Sequence, residues 1–166
     1  HAQDGNLCGE CLQRPPAFDQ AQALFGYGFP VDRLVQALKY SHSLLVADWL
    51  GRRLAVQVDG RDIDAVIALP LHPDRLRQRG FNQSLEIARP IARHLHRPLL
   101  TDICERTRAT PPQADMPLTE RARNVRHAFA CNRPLGNLHI LLVDDVMTTG
   151  ATLHECARAL KEAGAR

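Results

Sequence analysis

An α/β domain with a mainly parallel sheet flanked by helices, preceded by a small cysteine-containing extension, is the architecture this sequence predicts. Two apolar runs carry the expectation, Ala65-Val66-Ile67-Ala68-Leu69 and Ile140-Leu141-Leu142-Val143. Both are short and uninterrupted, as strands buried on two faces are, and the second reads as a central parallel strand. A third observation is the abrupt change of chemistry after the second run. Asp144 and Asp145 come first, then Val146-Met147-Thr148-Thr149-Gly150-Ala151-Thr152 and a helical pattern. Open α/β sheets bind ligands outside the carboxyl ends of their strands, where this acidic pair falls.

Residues 1–18 are polar and turn-rich, end in Arg14-Pro15-Pro16, and read as an extension separable from a core over 19–166. Ala21 to Tyr27 predicts a strand. Pro30 then opens a helix with Leu34, Val35 and Leu38 on one face, and a second helix is expected from Leu44 to Val56. The strand over 65–69 comes next, closed by Pro70. Leu85, Ala88, Ala92 and Leu95 form the apolar stripe of the next helix. Pro90 should kink or split it, because an interior proline lacks the backbone donor and clashes with the preceding turn. Residues 106–126 form a long Pro-, Thr- and Arg-rich connection, a lid or binding loop more often than filler, with a plain hairpin as the alternative. In the last helix Cys156 shares a face with Leu153, Ala157 and Leu160, a core position, and Thr152 with Glu155 fits a capping box.

With 166 residues, 45% of them hydrophobic, the chain suits one domain with a true core. No apolar run approaches the length of a bilayer and no charged-then-apolar leader precedes position 20, so no membrane span and a cytoplasmic location are expected. The net charge of +3 does not by itself argue for nucleic acid. The positive side is almost wholly arginine, which favours bidentate capture of phosphate, although base composition of the genome gives the same bias. With only two lysines, Lys39 and Lys161, neither in a Gly-x-x-x-x-Gly-Lys-Ser/Thr setting, a Walker-type loop is excluded. A phospho-acceptor receiver domain also places an acidic pair after a strand, but it needs a further strand-end Asp and a Lys downstream. The five cysteines, an odd number, argue for reduced thiols.

The chemistry concentrates in three places. Ionised carboxylates only accept hydrogen bonds, which suits Asp144 and Asp145 to the vicinal hydroxyls of a ribose. The small residues after them let backbone N–H groups and threonine hydroxyls close around a phosphate at the amino end of a helix. The plain alternative is a solvated strand end and an ordinary turn. Leu71-His72-Pro73-Asp74-Arg75-Leu76-Arg77-Gln78-Arg79 clusters arginines at the mouth of the sheet, or else is simply a solvated helix start. His72 is a candidate proton shuttle, with a hydrogen-bonding loop residue as the alternative. Cys8-Gly9-Glu10-Cys11 is half of a four-thiolate zinc site, or an exposed turn.

The run from Ile140 to Thr152 closely resembles the thirteen-residue signature of type I phosphoribosyltransferases, which bind 5-phosphoribosyl-1-pyrophosphate (PRPP). The resemblance implies that Asp144 and Asp145 hold the ribose hydroxyls and act in catalysis, and that Met147, Thr148, Thr149, Gly150, Ala151 and Thr152 hold the 5′-phosphate. It assigns pyrophosphate to Leu71, His72 and Pro73, where Arg77 and Arg79 add positive charge. It makes 106–126 a flexible loop closing over PRPP, with Gln113, Arg121, Arg123 and Asn124 as contacts. Together with Leu38-Lys39-Tyr40, Arg79-Gly80-Phe81-Asn82-Gln83, Thr110-Pro111-Pro112-Gln113 and Arg123-Asn124-Val125-Arg126, the chain is similar from about Cys8 onward to the ComF family of phosphoribosyltransferase-like proteins.

That family implies an amino-terminal cysteine module, of which Cys8 and Cys11 are one half, with Zn2+ completed by residues outside this chain. It also implies a further strand beyond Arg166. The expected function is Mg2+-assisted binding of PRPP, with transfer of the phosphoribosyl group and release of pyrophosphate. The alternative is an accessory protein of DNA uptake and competence that binds single-stranded DNA or a helicase partner and keeps the PRPP site as a sensor or relic, with Phe81 and Phe129 as stacking platforms near arginines. No motif names an acceptor or a general base.

Overall fold

The computed structural model describes residues 9–13, 15–41, 43–58, 60, 62–109 and 123–166. Its helices and strands, in chain order, are α1 (Gly9–Gln13), α2 (Val31–Tyr40), α3 (Leu44–Gln57), β1 (Ala65–Ala68), α4 (Pro73–Arg79), α5 (Gln83–Leu95), β2 (Leu99–Leu100), β3 (Cys104–Arg106), β4 (Phe129–Cys131), β5 (Ile140–Val143) and α6 (Ala151–Glu162), with a helical turn at 123–125. The strands make a parallel sheet in the order β2-β1-β5 and a separate antiparallel pair, β3-β4. The fold is α/β, as the sequence predicts. Among the described residues β1 is the central strand and β5 lies at an edge, where Ile140, Leu141 and Leu142 are only half-buried.

Alternation along β1 divides the core in two. Val66 faces a cluster with Leu38, Ala47, Leu50, Ile87 and Ile91, from α2, α3 and α5. Ile67 faces the other way, among Ile103, Cys104, Phe129, Cys156 and Leu160, from the β3-β4 pair and α6. Period-two burial of this kind is what a sheet covered on both faces requires.

The run at 140–143, read from the sequence as a central strand, is an edge strand among the described residues, and two further expectations fail here, a strand at 21–27 and a split at Pro90. Residues 21–27 form no strand; they run irregularly over the surface, and Phe25 stacks on Trp49 of α3 with ring centroids 5.8 Å apart. Helix α5 is not split at Pro90 but continues through it. Pro90 is buried against α3, where Gly51 leaves room for its ring: a Cβ at residue 51 would fall well inside contact distance of both Pro90 Cγ and the Ile87 carbonyl oxygen. Tertiary packing holds this helix together despite the donor it lacks.

Candidate functional site

The site lies where two neighbouring parallel strands end. Ala68 pairs with Val143, and the Leu69 N–H donates to the Val143 carbonyl at 2.8 Å, so the connections after β1 and β5 leave the sheet side by side. Asp144 and Asp145 stand in the second of these. Asp144 Oδ1 accepts two hydrogen bonds, from Ser84 Oγ at 3.0 Å and from the Asp145 backbone N–H at 2.8 Å. Burial, and then the adjacent Asp145 charge, push the Asp144 carboxyl up to about 7 against the pull of those donors. Asp145 has a different partner, Lys39 of α2, whose Nζ lies 2.8 Å from Asp145 Oδ2.

Beyond the pair the chain bends through residues 146–150 into α6. Gly150 takes the left-handed conformation, with φ 75°, and is the residue before the first helical turn. Only glycine adopts that geometry without strain. The bend encloses a cavity of about 20 Å3 lined by Asp144, Met147, Thr148, Gly150 and Thr152 among others. This is the amino end of a twelve-residue helix, whose first-turn N–H groups carry partial positive charge. The expected capping box is absent: the cap residue is Gly150, the Ala151 N–H is taken by Thr149 Oγ1 at 3.4 Å, and Glu155, buried within the helix, accepts from the His127 N–H at 2.7 Å and pairs with Arg158. With Gly150 as the cap residue, Thr152 lies inside the helix.

On the β1 side, Leu71 and His72 come after the strand and Pro73 begins α4. His72 caps α4, its Nδ1 accepting from the Asp74 N–H at 3.2 Å. Gly80, left-handed at φ 77°, ends α4, and Asn82 then caps α5 through its Oδ1 while its Nδ2 donates to the Leu69 carbonyl at 3.0 Å. The Arg-Gly-Phe-Asn-Gln motif therefore ties two helix ends to the tip of β1. Arg77 is exposed and pairs with Asp74, whereas Arg79 donates to buried Gln83 Oε1 at 3.0 Å. Gln83 Nε2 is buried with no hydrogen-bond partner among the described residues.

Sequence reasoning does not single out four residues of this neighbourhood: Lys39 and Ser84, which contact the acidic pair, Arg106, on which the Asp144 charge acts, and Arg75, which acts on Arg106. Lys39 belongs to a family motif and Ser84 directly adjoins another, which is the available signal. Burial first, then the Arg75 charge, hold the Arg106 guanidinium below its ordinary value, while Asp144 acts in the opposite direction. Arg75, Arg106 and Asp144 thus share one electrostatic neighbourhood.

Gln113 and Arg121 lie outside the described residues, as does Cys8. Arg123 is exposed in the helical turn at 123–125, and the Asn124 carbonyl accepts from Arg108 Nη2 at 2.7 Å. Cys11 is half-buried in α1, and the four described cysteines are free thiols. Phe129 is buried in β4 beneath Arg106, so it offers no stacking platform, and Phe81 packs against the core. A larger depression of about 630 Å3, lined by Arg89, Arg93, His96 and Arg97, sits at the far end of α5 from Ser84. The Ala17 N–H donates to His154 Nδ1 at 3.0 Å, the Phe18 ring lies 3.6 Å from where a Gly150 Cβ would be, and Asp19 pairs with Lys161 at 2.7 Å. Residues 17–19 thereby cross both α6 and the loop before it.

The phosphoribosyl transferase domain model matches residues 82–166. The chain is 36% identical over 165 residues to the DNA utilization protein YhgH of Escherichia coli K12, covering 95% of this chain and 73% of that protein. It is 30% identical over 169 residues to competence protein F of Haemophilus influenzae, with the same coverage. To the competence protein ComFC of Bacillus subtilis it is 35% identical over 99 residues, 60% of this chain and 39% of that protein. No solved structure matches. The parallel sheet, the acidic pair at its mouth, the domain match and these relatives agree: the chain belongs to the ComF family of phosphoribosyltransferase-like proteins.

Proposed function

We propose that this protein binds PRPP together with Mg2+ and transfers the phosphoribosyl group to an acceptor, releasing pyrophosphate. The observation that carries the reading is the acidic pair at the end of β5, succeeded at once by the glycine bend and the amino end of α6. Carboxylates for sugar hydroxyls and N–H groups for a phosphate occur there in the order a ribose 5-phosphate needs.

Breaking the bond between the anomeric carbon and pyrophosphate leaves positive charge on the ring and negative charge on the departing group. Asp144 and Asp145 would orient the ring and favour its cationic character, as carboxylates do in glycosyl transfer. His72 and the backbone of 71–73 lie on the adjacent strand end, and Arg75, Arg79 and Arg106 would supply positive charge for the leaving group. The hard oxygen donors of the acidic pair suit Mg2+, which would neutralise pyrophosphate charge. No group of three His, Cys, Asp or Glu among the described residues is arranged to hold a metal ion, so its remaining ligands would come from substrate and water. Zn2+, by contrast, would belong to Cys8 and Cys11 with thiolates from elsewhere.

Calorimetry with PRPP and Mg2+, then assay of pyrophosphate release across nucleobases and amines, tests the proposal. No PRPP binding at millimolar concentration would sink it. Binding without turnover would favour a sensor.

A second reading rests on the relatives, which are named for DNA utilization and competence. On it the chain serves DNA uptake, binding single-stranded DNA or a helicase, with exposed arginines such as Arg77 and Arg123 as phosphate contacts. No helix among the described residues is long and apolar enough to cross a membrane. Either reading implies work on phosphorylated ligands in the cytoplasm.

A further inference from the structure

The two carboxylates of the acidic pair are held by different means, Asp144 by hydrogen bonds and Asp145 by an ion pair, and the difference bears on what the site accepts. Asp144 is held by a hydroxyl and a backbone N–H of its own surroundings. Asp145 is ion-paired with the ammonium of Lys39, 2.8 Å away, with side-chain exposures of only 14% and 21% for the two partners; the contact lies outside hydrogen-bonding geometry, so buried Asp145 Oδ2 has no hydrogen bond among the described residues and is held by charge alone. Lys39 is carried by a helix that cannot easily withdraw, because its neighbour Leu38 is fully buried and Val35 nearly so. A ligand hydroxyl that takes over Asp145 must displace this ammonium and strand it in a largely desolvated position. Leaving a half-buried charge unpaired carries a cost that re-pairing it elsewhere removes.

We propose that Lys39 is a specificity-determining residue, which guards Asp145 in the free protein and passes its charge to a phosphate of the incoming ligand, so that the site admits phosphorylated sugars and rejects neutral ones. The inference rests on the phosphoribosyl reading of the site and adds the means of selection. A neutral diol gains hydrogen bonds to the carboxylates but offers the displaced ammonium nothing. A sugar bearing phosphate or pyrophosphate satisfies both ends of the broken ion pair. Lysine suits such an exchange, being a compact charge on a flexible four-carbon stem whose donors rotate freely.

The test is calorimetry with PRPP, ribose 5-phosphate and ribose, each with Mg2+, on the wild-type chain and on Lys39→Met, Lys39→Gln and Lys39→Arg. Thermal unfolding identifies which variants remain folded; Gln retains the length and polarity of the side chain should Met disturb packing. The expected result is that Met and Gln lower affinity for both phosphorylated ligands by about tenfold or more, since a charge-assisted bond is lost. Ribose affinity should hold or rise in the same variants, and Arg should retain most of the selectivity. A folded Lys39→Gln protein that binds PRPP as the wild type does would overturn the inference and leave the phosphoribosyl reading intact. Wild-type protein that binds neither PRPP nor ribose 5-phosphate would overturn both.

Discussion

Ser84 Oγ and the Asp145 N–H meet on the same oxygen of Asp144, Oδ1, at 3.0 and 2.8 Å. Both donors stabilise a charge that burial opposes, and burial prevails, so Asp144 keeps its proton up to about pH 7. An Asn at this position can accept both bonds through its own Oδ1, which makes Asp144→Asn a way to remove the titrating group while keeping its two donors satisfied.

The pH dependence of stability comes from that shift. From about pH 4 to pH 7 the unfolded chain has lost the Asp144 proton while the folded chain retains it. Stability therefore falls as pH rises through this window, by up to about 4 kcal/mol from this group. Denaturant unfolding at pH 5 and pH 8 should show the loss in the wild type, and the difference between wild type and Asp144→Asn should shrink or reverse toward pH 8. A difference that does not vary with pH would show that Asp144 is ionised throughout.

Charge removal should weaken ligand binding as well. Replacing both Asp144 and Asp145 with Asn is expected to lower PRPP affinity by about tenfold or more, from about 1.5–3 kcal/mol per charge-assisted hydrogen bond. Unchanged affinity in the folded double variant would remove the acidic pair from the ribose site.

Gly51→Ala should destabilise the protein although alanine is the better helix former. The added methyl would collide with Pro90 Cγ and the Ile87 carbonyl oxygen, a ring and a backbone atom with little room to yield. Overpacking of this kind costs about 1–3 kcal/mol, more than the roughly 1 kcal/mol that alanine gains over glycine in a helix. The denaturation midpoint should drop; a rise would mean that α3 and α5 slide apart easily.

Salt separates the enzymatic reading from the DNA reading. Single-strand affinity should fall by about 0.7 log units per phosphate contact for each log unit of salt. On the enzymatic reading, PRPP binding should respond to Mg2+ far more than to moderate salt. Substitution of Thr148, Thr149 and Thr152 should weaken PRPP binding and spare any DNA binding. Equal loss of both activities in a folded protein would argue for a single shared site.

Features that lie in a continuous stretch are the ones legible in the sequence. The run Ala65–Leu69 reads as a strand because every residue is apolar, and Val143-Asp144-Asp145 reads as a strand end because chemistry changes abruptly there. The helix expected from Leu44 to Val56 matches α3 to within one residue of its end. The failures have long-range causes. Phe25 and Tyr27 have strand-forming side chains, but such propensity depends on a neighbouring strand to pack against, and here Trp49 takes Phe25 instead. Pro90 is tolerated because of Gly51, a residue on a different helix. The Lys39–Asp145 pair joins residues far apart in the chain, and no local pattern announces it.

The Ala17–His154 hydrogen bond, with the Phe18 ring over Gly150, makes residues 17 and 18 a mechanical neighbour of the bend at 146–150. Whatever pulls on residues 15–19, whether a metal ordering the cysteines before them, a protease, or a purification tag, also pulls on the glycine that turns the chain into α6. An affinity measured on a protein altered at that segment therefore reports the alteration as well as the ligand.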